Sequence, residues 1–421
     1  MHSEPNIFHS RIFDNNTLTK KIIFINRFFY PDQSATSQIL TDLLVNIEKN
    51  IDAEFHVVTS RNTYQNDAQL QPFENYNNIH INRVWTTRFG RAKLLGRAFD
   101  YISFYISTFF CLLKLVSKDD VVIAKTDPPV ISFVAYFVTR LKKAHLINWL
   151  QDLFPEVAGE LGLIKKQSYL FNSLKKLKNI SLKAAEVNVA IGEKMANLVE
   201  SQGVDSKDIK VIRNWSVNDR VQYIPKENNH LISEWGLAGK FVICYSGNFG
   251  RAHEYEPIKK LITELTDEDV VFLFIGGGKY YDDIREYAET ASLKNVRFQP
   301  YQDKKDLNYS LSVADLHLIS LIPSLEGLIV PSKFYGIASI GVPMLFTGQR
   351  DGEIGQVIQL KHCGFIAAPE DYKNIADQVR GIKNNQAELV NMSSNLSELY
   401  EDEYQPEVAY NKWQEILLRF I

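Results

Sequence analysis

Four short stretches of this 421-residue chain carry side chains suited to holding and moving a phosphorylated ligand. The stretch SLEGLIVPSKFYGIASIGVP (324–343) follows an apolar run, Leu316 to Ile322, of the right length for a buried parallel strand. Glu326-Gly327 forms an acidic turn, Pro331 marks a helix start beside Ser332, and Gly341 ends that helix. Strand, loop and helix N-terminus in this order make a phosphate cradle in α/β sheets. In CYSGNFGRAHEYEPI (244–258), Gly247 and Gly250 flank Asn248 and permit close backbone approach, and Arg251 can clamp a diphosphate bidentately. An ordinary strand-to-helix turn with a surface arginine reads the same way. In FYPDQSATSQIL (29–40), Gln33, Ser34 and Thr36 put polar groups and free amides at a helix N-terminus; plain N-capping by Ser34 or Thr36 is the competing reading. INWLQDLFPE (147–156) sets Asp152 just past a strand's carboxyl end, where open α/β sheets keep their ligand crevice, or where it caps a turn before Pro155. Asp127 in TDPP has the same position and reads as a turn former.

These groups need a scaffold, and the chain's pattern supplies one. KIIFI, EFHVVTS, HINRVWTT, DVVIAK, AHLINWL, EVNVAIG and DIKVIRNWS read as strands separated by helical or polar segments. A polar stretch, VNDRVQYIPKENNH, interrupts this alternation, which restarts with KFVICYSG, VVFLFIGGG, NVRFQPY, the Leu316 run and GFIAAP. Two doubly wound, Rossmann-like α/β domains are expected, residues 1–215 and 216–403. The closing AYNKWQEILLRFI is amphipathic, with Tyr410, Trp413, Ile416, Leu417 and Phe420 on one face.

A composition of 45% hydrophobic and 23% charged residues, with a net charge of −3, is that of a globular protein and argues against nucleic acid as a partner. Cys111, Cys244 and Cys363 are far apart in apolar surroundings, as free thiols in a reducing cytoplasm would be; their spacing suits neither zinc nor a disulfide framework. Residues 1–20 are polar, lack a signal-peptide core, and are expected to form a loose lead-in. The run from Ala98 to Val116 approaches the length of a membrane span, but Asp100, Lys114 and several hydroxyls argue against one. Arg88, Arg91, Lys93 and Arg97 precede or enter this aromatic helix. Together they suggest contact with anionic headgroups, against the alternative of a core helix with a solvated basic lead-in.

With these residues assembled, the chain from about Lys21 onward resembles family 4 glycosyltransferases, in the bacterial subgroup that builds O-antigen, capsular and related surface polysaccharides. NRFFYPDQSATSQILTDL, WLQDLFPE, YSGNFGRAHEYEPI and VPSKFYGIASIGVP carry the likeness by their order and spacing. The resemblance implies a GT-B fold and a helix, here 404–421, that crosses back to the first domain. It implies a UDP-sugar or other NDP-sugar donor held by the second domain, and a saccharide acceptor, lipid-linked at the inner membrane, held by the first. Retention of configuration without metal or cofactor is implied too, the sugar nucleotide being a substrate. Arg251 matches the family's diphosphate arginine. The family lysine that follows is missing, and Lys333 is the expected substitute. Of the family's acidic pair, the ribose-binding glutamate falls at Gly336 and the first at Leu328; Glu326, the acid present nearby, is expected to move into the donor site. Asp152 stands near a family histidine and is expected to orient sugar or acceptor. Ser34-Ala35-Thr36 replaces the paired glycines of the first loop. A sugar-nucleotide epimerase and a non-catalytic nucleotide-sugar-binding subunit are the alternatives.

Overall fold

The computed structural model describes residues 19–64, 69–90, 94–217, 221–266, 269–368 and 371–421; most of the lead-in, and both Arg91 and Lys93, lie outside them. The first sheet contains β1 (Lys21–Ile25), β2 (Glu54–Ser60), β3 (Phe73–Tyr76), β4 (Ile79–Val84), β5 (Val121–Lys125), β6 (His145–Leu150), β7 (Val187–Ala190) and β8 (Ile209–Val211), in the order β3-β4-β2-β1-β5-β6-β7-β8. Its helices are α1 (Ala35–Ile47), α2 (Leu94–Leu115), α3 (Ile131–Lys142), α4 (Glu156–Glu160), α5 (Tyr169–Ala184) and α6 (Glu193–Ser201). Strands such as KIIFI and VVIAK are buried along almost their whole length because helices cover both faces of the sheet. One strand departs from the expected parallel pattern. β3 pairs antiparallel with β4 through a two-residue turn in which Asn77 takes φ +53°, a conformation asparagine tolerates.

The second sheet, wholly parallel, has the order β11-β10-β9-β12-β13-β14, with β9 (Phe241–Asn248), β10 (Val270–Gly277), β11 (Val296–Gln299), β12 (Leu316–Ser320), β13 (Met344–Thr347) and β14 (Gly364–Ala367). Around it lie α7 (His230–Glu234), α8 (Glu256–Glu264), α9 (Lys279–Thr290), α10 (Leu307–Leu311), α11 (Lys333–Ser339), α12 (Glu353–Lys361), α13 (Tyr372–Lys383) and α14 (Gln386–Leu399). α11 begins two residues after Pro331 rather than at it, and a positive φ at Gly341 follows its end. A π-turn, Tyr400–Tyr404, leads to α15 (Pro406–Leu417). Tyr410, Trp413, Ile416 and Leu417 of α15 lie in the core of the first domain with Phe24 and Trp149.

In each sheet the strand order reverses once, between β1 and β5 and between β9 and β12. Parallel strands splay their connections apart at such a reversal, which leaves a crevice at their carboxyl ends.

Candidate functional site

The two crevices open into one cleft of about 590 Å³. Gln33, Thr36, Gln151, Asn214 and Trp215 line it from the first domain; Ser246, Gly247, Tyr301, Ser332, Lys333 and Gly336 line it from the second.

The second-domain wall depends on glycine where β9 and β10 end. Gly247 takes φ +124°, and a Cβ there would lie 2.7 Å from Lys333 Cε. Its register partner Gly276, at φ +126°, leaves only 2.4 Å between such an atom and Gly247 O. Only glycine fits both positions, so bare backbone meets the cleft beside the Lys333 side chain. Lys333 Nζ lies 5.0 Å from the Tyr245 ring centroid, and burial lowers its pKa to about 8. The Tyr245 hydroxyl is 2.7 Å from Asn248 O and 2.8 Å from His253 Nε2, while His253 Nδ1 is 2.8 Å from Gly250 O. Burial, and then the Lys333 charge, push His253 down to about 4, so a neutral ring pins the loop after β9.

Arg251 stands on that loop, exposed, with no hydrogen bond or ion pair to any described residue, outside the lining of the cleft. Ser332 and Lys333 line the cleft; Asn248 and Gly250 shape the loop behind it. Glu326 sits elsewhere. Its Oε1 accepts from Glu353 N at 2.7 Å and so caps α12, and a Cβ on Gly352 would collide with its carboxylate. Burial raises its pKa, against the pull of that amide. With Glu326 at this helix end, the expected move of its carboxylate into the donor site does not occur. Gly336 lines the cleft and a Cβ there would meet nothing within 4 Å, so the position at which the resemblance implied a ribose-binding acid is open space.

On the first-domain wall, Asp32 Oδ1 accepts from Ser34 N at 2.8 Å, and Thr36 Oγ1 donates to Asp127 Oδ2 at 3.3 Å. Ser34 occupies the N-cap of α1 but makes no capping bond, and its Oγ is buried without a partner. Plain capping therefore does not account for it. Gln151 and Asn214 exchange two amide hydrogen bonds, 3.1 and 2.8 Å, across the ends of β6 and β8. Asp152 follows Gln151 but does not line the cleft; its Oδ1 is buried and unpartnered. Burial raises the carboxyl to about 6, Thr126 opposes the shift, and Asp127 adds to it. Sequence reasoning missed Gln151, Asn214 and Tyr301. All three follow the carboxyl ends of strands, so a search of every strand end would have found them. Of the basic residues expected at a membrane, Arg88 and Arg97 are described; Arg88 is exposed ahead of α2 and Arg97 is partly exposed on it.

Residues 227–398 match the family model for glycosyl transferases group 1. The chain is 27% identical over 289 residues to WbjE of Pseudomonas aeruginosa, named as a glycosyltransferase, covering 68% of this chain and 71% of that one. It is 25% identical over 328 residues to WcaI of Escherichia coli K12, named for colanic acid biosynthesis, covering 73% and 78%. Its fold superposes on Anabaena HepE in complex with UDP with a TM-score of 0.69, at 14% identity over 95% of this chain and 100% of that one. A second HepE structure holds UDP-glucose. The architecture is GT-B.

Proposed function

We propose that this group 1 glycosyl transferase is a retaining enzyme that moves a hexosyl or N-acetylhexosaminyl unit from a UDP-sugar to a lipid-linked saccharide in bacterial surface-polysaccharide synthesis. The observation that carries this reading is the shared cleft at both switch points, in which Lys333 is the one lysine, arginine or carboxylate side chain among the described lining residues. The donor diphosphate rests on the bare backbone at Gly247 beside Lys333, and Arg251 closes on it from the adjacent loop. UDP is favoured because HepE, which shares the fold, binds it.

In the reaction, the acceptor oxygen bonds to the anomeric carbon on the face from which the bond to the diphosphate oxygen breaks. The departing phosphate takes the acceptor's proton, so no protein base is required. Charge gathers on the leaving oxygens, and fixed cations at that place lower the barrier most. No carboxylate lies among the described lining residues, which leaves an epimerase without its acid and base.

A panel of UDP- and GDP-sugars, with and without lipid-linked acceptor, separates the readings. Radiolabel transfer supports the proposal, C2 inversion without acceptor replaces it with an epimerase, and binding without turnover with a non-catalytic subunit. Arg251→Ala is expected to lower transfer by about 10²–10³-fold, the cost of losing one transition-state donor. Near wild-type rates would remove Arg251 from the mechanism.

A further inference from the structure

We infer that α2, α3 and α5 together form a docking face that lies in the plane of an anionic lipid bilayer. It extends the acceptor side of the function proposed above, but rests on observations of its own.

α2 has two apolar faces where a surface helix of a globular domain usually has one. The inner face packs into the domain through Phe104 and Leu112, with Asp100 buried beside them. Asp100 accepts from Thr87 Oγ1 at 2.7 Å and from Phe89 N at 3.0 Å, and it lies 3.7 Å from Arg27, so this face is locked to the fold. The outer face carries Leu95, Phe99, Ile102, Ile106 and Phe110 at helical spacing, each more than half exposed. The patch continues onto α3, where Phe137 and Leu141 are similarly exposed and the Phe137 ring lies 6.0 Å from that of Phe109. α3 also packs against α5, whose N-terminal turn exposes Tyr169 and Leu170.

Charge selects the occupant. The three helices carry eight lysines and arginines, seven at least partly exposed and one, Lys178, buried against Glu156; their single acid is the buried Asp100, in a chain whose net charge is −3. An exposed apolar stripe bordered by cations matches the headgroup layer of an anionic leaflet, where the apolar side chains enter the acyl boundary and the cations meet phosphate. α2 is long and apolar enough to span a membrane, but the buried Asp100 and its packed inner face hold it against the sheet, so it lies along the surface. α2, α3 and α5 all start at the carboxyl edge of the parallel sheet, the edge that borders the cleft. Docking on this face therefore brings the cleft rim to the bilayer.

Sedimentation with phosphatidylcholine vesicles, with and without phosphatidylglycerol, tests the inference without turnover, so it and the transfer reaction can fail separately. The wild-type chain should pellet with the anionic vesicles only, and less as salt rises. Phe99→Glu/Ile106→Glu/Phe110→Glu should abolish pelleting, and Lys175→Gln/Lys176→Gln should weaken it by about thirtyfold. Both variants should keep wild-type UDP affinity, which shows that they fold. Equal pelleting of wild type and variants overturns the inference. So does a soluble dimer that the triple variant splits into monomers, since a second copy would then cover the face.

Discussion

Lys333 shows how one side chain can depend on backbone geometry forty residues or more away. Its Cε occupies the space left by the missing Cβ of Gly247, its ammonium lies over the Tyr245 ring, and burial lowers its pKa to about 8. The charged form prevails below that value and is lost as pH rises through it. UDP affinity, measured by titration calorimetry, should therefore fall between pH 7 and 9, by roughly tenfold where the ammonium is about one-tenth populated. Lys333→Arg should flatten the profile, because a guanidinium stays charged throughout. A flat wild-type profile would separate Lys333 from the diphosphate. The PSK segment made Lys333 the expected substitute for the missing family lysine, and it does line the cleft; its close approach to Gly247 comes from the Gly247–Gly276 register of two parallel strands.

At the scale of elements, α11 is seven residues long and has glycine at its centre. Gly336 faces open space, so alanine there avoids a clash and removes backbone freedom from the unfolded chain. Gly336→Ala should stabilise the fold by about 0.5–1 kcal/mol in a urea titration, helix glycine being costly by that amount. It should also weaken donor binding, because the new methyl group enters the cleft. Unchanged donor affinity would place the nucleotide away from α11. Glu326 teaches the complementary lesson. Its position suited a ligand-binding loop, yet its carboxylate caps α12, whose first residue lies 27 positions later in the chain. Nothing in the local sequence pairs those two residues.

Across the whole molecule, α15 ties the end of the chain to the first domain. Trp413 is fully buried, its ring 4.8 Å from Trp149 and 6.2 Å from Phe24, while Trp215 Nε1 donates to Asp42 Oδ2 at 2.6 Å and the Tyr410 hydroxyl donates to the same oxygen. Trp413→Ala should cost about 3–5 kcal/mol, as large core truncations do. The measurement is a denaturant midpoint, and a loss below 1 kcal/mol would mean that α15 adds little to the first domain. The domains also meet directly. Leu153 N donates to Leu328 O at 3.0 Å, Lys194 N donates to Glu353 Oε2 at 3.1 Å, and Arg213 lies 3.5 Å from Glu403.

The sequence by itself determined the elements and the class of fold. Short apolar runs rich in β-branched residues between glycine and proline turns read as buried parallel strands, and α15's single apolar face had to find a core. It also located the loops that border the cleft, since these follow strand ends. The antiparallel β3 and the helices α13 and α14 escaped notice because their signals are short or weakly periodic. Tertiary structure alone decided which strand ends meet, that Gln151 pairs with Asn214, that Glu326 caps a helix, and that α2 leaves a second apolar face uncovered. Hydrophobic period is a property of neighbours along the chain. Contact across a cleft depends on strand order and domain packing, which join residues that no local pattern relates.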